Sequence, residues 1–451
     1  MKIKLVIFIS VIVCSCNISS KENPNKPNII FMMSDDHTSQ AWGIYGGVLE
    51  KYAINKNIKR LAVEGVVLEN AFCTNSICVP SRASILTGQY SHKNQVYTLT
   101  DALEPDKLNV AKILRSSGYQ TALVGKWHLK KQPSGFDYFN VLPGQGRYNN
   151  PLLKDIHNWE DGNKGGKVFE GFSSDVIMDE SIKWLDQRDK DKPFMLMTHF
   201  KATHEPFDYP DRFKNLFNGE TLPEPESLLD FYPGKSGRTF EGQILEILTE
   251  RWTKATQTKS NRYPGLPFDT VGLDSIQIRK KTYQKFVIKY PNEIPAGKRI
   301  DDIILNIDFP SLILDYAGVP QPDSFQGKSF RSNLMLETPS DWRNNMYYRY
   351  YAHAENRPSH MGIRTNQHKL IFYYGHPLGL KGTYTKKTTP PAWEYYDLEN
   401  DPMELSNQYN NIENKKIISQ LKIDLLNLRT DLGDEKTDSD ELKEIFENHW
   451  E

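Results

Sequence analysis

Cys78 opens the run Cys78-Val79-Pro80-Ser81-Arg82-Ala83-Ser84-Ile85-Leu86-Thr87-Gly88-Gln89, a lone thiol with a proline two steps on and an arginine four steps on. Pro80 suits the first position of a helix, since it lacks the N–H that would go unsatisfied there, and Thr87-Gly88 can stop that helix. Cys78 then sits against a helix N-terminus, whose free N–H groups and positive dipole end favour an anion. Arg82, one turn in, adds a fixed cation. The chemistry expected is a reactive group beside an oxyanion. A thiol here also reads as a half-buried structural cysteine, or as half of a disulfide with Cys73.

Other candidates sit where strands end. Residues 28–34 (N-I-I-F-M-M-S) form an apolar run suited to a buried parallel strand, with Asp35 and Asp36 at its carboxyl end. Adjacent acids facing a crevice repel each other unless a cation joins them, so the pair reads as ligands of a hard divalent metal, Ca²⁺ by preference, or as a solvated turn with a helix N-cap. A strand over 119–124 leads into Gly125-Lys126-Trp127-His128-Leu129. Lys126 and His128 stand two apart, and on extended backbone both would point to one face. A strand over 193–200 is followed by Lys201-Ala202-Thr203-His204-Glu205-Pro206, where a histidine beyond a strand end is a general-acid candidate. His92, His353, His360 and Tyr351 could reach the substrate rim or be structural.

The string C-V-P-S-R-A-S-I-L-T-G resembles the signature of the type I sulfatases, in which the cysteine is converted after translation to formylglycine. G-K-W-H-L resembles the family's second catalytic motif, and Lys201 to Pro206 fits its K-x-x-H-x-P pattern, matched by His204 and not by His199. Ala317-Gly318-Val319-Pro320 and Glu394-Tyr395-Tyr396-Asp397-Leu398-Glu399-Asn400-Asp401-Pro402 resemble later family signatures. The resemblance implies an alkaline-phosphatase-like α/β sandwich and hydrolysis of sulfate esters on a sulfated carbohydrate. It implies a catalytic set of Cys78, Arg82, Lys126, His128 and His204, and Ca²⁺ held by Asp35, Asp36 and residue 78. Its partners would be the sulfated carbohydrate and a formylglycine-generating maturation enzyme.

The family carries an Asp-Asn-Gly or Asp-Gln-Gly strand and a lysine before its Lys-Tyr-Pro strand; no such tripeptide occurs here. An internal segment is therefore expected to be missing near 285–291, taking two metal ligands, a lysine and an interior strand. Two expectations follow. Either an acid of the 208–280 stretch, such as Asp269 or Asp274, replaces the lost ligands in a working sulfatase, or the chain is an impaired homologue that only binds sulfated glycans.

The elements that must position these residues fit a long chain. Its 451 residues are ample for two domains, and 56 Lys+Arg against 57 Asp+Glu give a net charge of −1 that offers nucleic acid no reason to bind. Lys2 and Lys4 precede an apolar run over 5–13 that is too short to span a bilayer but suits a signal peptide. Val13-Cys14-Ser15-Cys16 resembles a lipobox, with Cys16 lipidated to anchor an exported lipoprotein at the periplasmic or cell-surface membrane, followed by a polar tether over 17–26. The expected organisation is a catalytic domain over 27–340, with a mostly parallel sheet, and a smaller antiparallel-sheet subdomain over 341–451. Residues 133–172, rich in Gly, Pro and Asn, read as loop.

Overall fold

The computed structural model describes residues 26–47, 49–52, 55–162, 164–205, 207–220, 223, 286–289, 293–355 and 357–451. The leader, most of the tether, Asp269, Asp274 and, at the 285–291 junction, residues 285, 290 and 291 lie outside the described residues.

In chain order the elements are β1 (Ile29–Met33), α1 (Lys56–Glu64), β2 (Val66–Leu68), β3 (Ala71–Phe72), α2 (Cys78–Thr87), α3 (Ser91–Asn94), α4 (Val110–Ser116), β4 (Gln120–Lys126) and β5 (Tyr138–Leu142). Then come β6 (Leu152–Leu153), β7 (Lys167–Val168), α5 (Ser173–Gln187), β8 (Phe194–His199), β9 (Phe286–Ile288), β10 (Lys298–Ile300), β11 (Ile304–Leu305) and α6 (Asp308–Tyr316). The last part holds β12 (Asn345–Tyr350), β13 (His360–Thr365), β14 (His368–Tyr373), β15 (Ala392–Asp397), α7 (Lys415–Leu432) and α8 (Asp440–His449).

The central sheet runs β1-β8-β4-β5 and all its pairs are parallel. Strands covered on both faces read as continuous apolar runs, and β4 and β8 divide their side chains accordingly. Leu123, Met195 and Met197 pack with Val79 and Leu86 of α2, Leu114 of α4 and Leu314 of α6. Ala122, Val124 and Leu196 face the other way, onto Ile177 of α5. A four-stranded antiparallel sheet, β12-β13-β14-β15, forms the second part, covered by Leu421 and Leu425 of α7 and Leu442 of α8. The expected architecture, a parallel sandwich sheet plus a smaller C-terminal antiparallel sheet, is what forms.

β5 runs through the stretch expected to be loop, and α8 was not foreseen. The apolar run Tyr138-Phe139-Asn140-Val141-Leu142 is short and flanked by turn formers, which masked it.

β1 lies at the edge of the central sheet among the described residues. Its strand partner is β8, and its other edge carries no strand among the described residues. Phe31 and Met33 pack into the core, but Ile30 and Met32 are 55% and 51% exposed. A strand covered on both faces would bury all of them. Each exposed side chain forgoes about 1.5–3 kcal/mol of apolar burial, and the open edge is an association hazard.

Candidate active site

Three loops converge at the carboxyl ends of β1, β4 and β8, where open α/β sheets gather ligands. The β1 loop and the β8 loop are laced together by backbone: Asp35 N–H donates to Ala202 O at 2.9 Å, and Thr203 N–H donates to Asp35 O at 2.8 Å. α2 brings in the third set. It starts at Cys78 itself, with Pro80 as its third residue, and ends at Gly88, whose φ of 63° closes the helix as glycine allows.

Asp35 is the hub. Its side chain is buried, Oδ1 accepts from Arg82 Nη2 at 3.1 Å, and Oδ2 is paired with the Lys126 ammonium. Burial alone would raise this carboxyl, but Arg82 and Lys126 outweigh it and hold the group far below the usual carboxylate range. Arg82 is fixed further by donating from Nη1 to Lys126 O at 2.8 Å. Lys126 also donates to Gln145 Oε1 at 2.6 Å. Asp36, at φ 54°, has its carboxyl raised by burial and by the charge of Asp35.

Cys78 Sγ lies 3.9 Å from Asp35 Oδ1. No disulfide forms: Cys73 and Cys78 are both free thiols, and Cys73 sits 3.3 Å from Ser81 Oγ. Burial pushes the Cys78 thiol up to about 11, so at neutral pH it is protonated and a poor nucleophile in its unmodified form.

The histidines differ in setting. His204 donates from Nδ1 to Glu205 O at 2.8 Å, which leaves Nε2 facing the site, 3.5 Å from Asp36 Oδ2. His128 is not on extended backbone as expected. It takes φ 61°, and burial, with Lys126 and Arg82 close by, pushes it down to about 2, so the ring is neutral. Its Nδ1 is buried without a hydrogen-bond partner among the described residues.

Gly125 explains its own place in the motif. Its φ is 101° and an added Cβ would lie 2.0 Å from His199 O. Gly125→Ala is expected to destabilise the protein by about 3 kcal/mol and to displace Lys126, read by urea unfolding and by weakened sulfate binding.

Three site residues escaped the sequence reading. His199, set aside as outside the motif, lies 3.4 Å through Nδ1 from Arg82 Nη1 and 3.2 Å from Lys126 O. Strand parity could have found it, because His199 follows Met195 and Met197 on the α2 face. Lys201, 2% exposed, holds its ammonium 3.3 Å from Glu205 O and 4.7 Å above the Tyr148 ring. Burial and the neighbouring Lys126 lower it to about 8, which leaves it mostly charged at neutral pH. Gln145 had no signal in its loop.

The rim candidates are structural. His92 Nε2 lies 2.9 Å from Leu432 O, His353 Nε2 lies 2.9 Å from Lys387 O, His360 Nδ1 lies 2.8 Å from Pro358 O, and the Tyr351 hydroxyl donates to Asp434 Oδ1 at 3.0 Å.

A metal has a partial home here. Donor atoms of Asp35, Cys78 and His204 lie within 4.8 Å of one another, and the mutual repulsion of Asp35 and Asp36 is what a cation would relieve. Asp35 and an oxygen on residue 78 fit one side of a hard-cation site that takes six or more oxygens, while Asp36, expected as the second ligand, stands outside this cluster with Oδ2 3.5 Å from His204 Nε2. The described residues supply no further carboxylate to this cluster.

Comparison with known proteins agrees with this geometry. The Sulfatase family model matches residues 27–259, and the model for the C-terminal region of N-sulphoglucosamine sulphohydrolase matches 279–431. An N-acetylglucosamine-6-O-sulfatase of Bacteroides thetaiotaomicron is 32% identical, over 89% of this chain and 86% of its own length. That alignment runs over 502 positions against the 451 residues of this chain, so at least 51 have no counterpart here, as an internal deletion requires. An ulvan-active sulfatase of Formosa agariphila is 26% identical over 96% of this chain and 87% of its own. A solved structure of a protein in complex with its substrate, D-glucosamine-2-N,6-O-disulfate, superposes with TM-score 0.74 at 29% identity, covering 91% of this chain and 98% of that one. Formylglycine and a metal are general features of the group so matched. This chain belongs to the sulfatase family.

Proposed function

We propose that the protein hydrolyses a sulfate ester on a sulfated glucosamine-type sugar, with residue 78 as formylglycine and Ca²⁺ at the acid pair. The observation that carries this reading is the convergence of Arg82 and Lys126 on Asp35 and of His204 on Asp36, beside Cys78. The likeness to relatives named for glucosamine sulfates supports the substrate class.

Formylglycine would supply two hydroxyls, one to receive the sulfuryl group and one to release sulfate, and a cation held by Asp35, Asp36 and residue 78 would supply positive charge. The chain's own residues do the rest. Arg82 and Lys126, fixed through Asp35, offset charge on the sulfate oxygens, and Lys201 adds a third cation nearby. His204, in its imidazolium form, gives the Nε2 proton to the leaving alcohol while Nδ1–H stays on Glu205 O; burial and Lys126 lower its pKa, and the charges of Asp35 and Asp36 oppose them. His128, neutral and unpartnered at Nδ1, is ready to accept the proton of the second hydroxyl.

The alternative, a homologue that binds sulfated glycans without cleaving them, is favoured by the half-built metal site. One experiment separates the two. Titration calorimetry with Ca²⁺ is expected to show micromolar binding that is lost in Asp35→Asn, and EDTA is expected to stop sulfate release from a panel of sulfated glucosamine oligosaccharides. Absent Ca²⁺ binding together with absent release would establish the binding-only reading. The lipobox-like leader supports a site of action outside the cytoplasm on a lipid anchor at Cys16; labelling of the wild type but not Cys16→Ala with a fatty-acid probe is expected.

A further inference from the structure

His204 sits on a short turn after β8, and residues outside its own backbone hold the two carbonyls of that turn. The imidazole is oriented by its bond from Nδ1 to Glu205 O at 2.8 Å, so the ring follows wherever that carbonyl is set. Lys201, at the start of the turn, donates its ammonium to the same carbonyl at 3.3 Å, and His204 N–H returns to Lys201 O at 3.1 Å. The neighbouring carbonyl, His204 O, accepts the Tyr148 hydroxyl at 2.5 Å and Phe207 N–H at 3.2 Å. Tyr148 comes from the connection between β5 and β6, 56 residues earlier in the chain. Its buried ring is stacked on Phe172 with centroids 5.4 Å apart, and the Lys201 ammonium lies 4.7 Å over it. Its carbonyl accepts from the N–H of Ser173, the first residue of α5, at 2.6 Å. Tyr148 is thus fixed from α5 and braced by a cation before it touches the turn.

We propose that Tyr148 is a positioning residue that acts through His204: its hydroxyl, braced by Phe172 and Lys201, holds the 204–205 turn so that Nε2 meets the leaving oxygen. This rests on the reading of His204 as the leaving-group acid above. A phenol has one proton to donate, and Tyr148 commits it to His204 O, so it has none to give to a substrate. The turn's ties to the β1 loop, at Ala202 and Thr203, precede His204 in the chain. Tyr148 and Lys201 set the half that carries the imidazole. Proton transfer demands hydrogen-bond reach between acid and leaving oxygen, and a misplacement of about 1 Å costs on the order of 100-fold in rate.

Tyr148→Phe removes the hydroxyl and keeps the ring on Phe172 and Lys201, so it tests the bond and not the packing. Two leaving groups separate the roles: a sugar alcohol needs a proton as it departs, and a 4-nitrophenolate does not. In Tyr148→Phe, kcat for glucosamine 6-O-sulfate is expected to fall about 10- to 100-fold with KM nearly unchanged, and kcat for 4-nitrophenyl sulfate to fall less than about 2-fold. Adding Tyr148→Phe to His204→Ala is expected to cost nothing further on the sugar sulfate, since a residue that acts through the imidazole then has nothing to act on. Equal losses with both leaving groups, no loss on the sugar sulfate, or losses that multiply in the double variant overturn the proposal and leave the hydrolase reading standing. A wild type that releases sulfate from neither compound overturns the hydrolase reading and the proposal with it. If the wild type cleaves the sugar sulfate alone, the double variant decides: no further loss upholds the proposal, and multiplied losses overturn it.

Discussion

Cys78→Ala is expected to lower sulfate release by at least about 10⁴-fold while leaving the fold intact, because it removes the nucleophile and with it one ligand of the proposed cation. The side chain is small, and the neighbours that set the backbone of α2 do not depend on it. Arg82 and Lys126 stay fixed on Asp35, so a sulfated sugar should still bind, and the loss should fall on kcat more than on KM. The unmodified thiol should behave almost as badly. Held up at about 11 by burial, it is protonated at neutral pH, and once sulfated it has no second hydroxyl from which to expel the group. Wild-type protein made without a maturation enzyme should therefore match Cys78→Ala in turnover. Mass spectrometry of the peptide around residue 78 reads the replacement of sulfur by an aldehyde oxygen. Full turnover by protein whose peptide carries only the thiol would refute this route.

How much of this site the sequence disclosed follows from local chemistry. Asp35-Asp36, Cys78, Arg82, Lys126 and His204 were legible because each sits beside a short signal: an apolar run ending in charge, or a proline at a helix start. The structure brings these six residues together. What was not legible depends on three-dimensional packing. The expected extended backbone at His128 gave way to φ 61°, a conformation imposed by the turn after β4. Gln145 reaches Lys126 from a loop 19 residues on, with no pattern to announce it. β5 was hidden because five residues between turn formers carry too little periodicity.

The internal deletion links fold and site. Beyond β8, β1 carries no strand among the described residues, Ile30 and Met32 stand exposed on it, and no carboxylate besides Asp35 and Asp36 reaches the site among those residues. Arg82 and Lys126 neutralise Asp35.

A buried charge cluster around Asp434 holds the C-terminal part together, and there the largest stability effect is expected. Asp434, fully buried, accepts from Arg349 at 2.8 Å, Arg429 at 3.3 Å, the Tyr347 hydroxyl at 2.7 Å and the Tyr351 hydroxyl at 3.0 Å. Arg349 N–H in turn donates to Thr74 O, four residues before Cys78. Asp434→Ala leaves two buried guanidiniums short of their shared counter-charge, although Asp438 still pairs with Arg429, and should cost about 3–5 kcal/mol out of a typical 5–15. Burial alone would raise the Asp434 carboxyl; Arg349, Arg429 and the Tyr347 hydroxyl outweigh it and hold it at about 2. A depressed carboxyl contributes stability that is complete above its unfolded value of 3.8 and is lost as pH falls through the folded one. The gap between wild type and Asp434→Ala, measured by urea unfolding at a series of pH values, should therefore be flat from neutrality to about pH 4 and close only below it. A gap under about 1 kcal/mol, or one that closes between pH 6 and 8, would mean that Asp434 is not the counter-charge that ties β12 to the C-terminal helices.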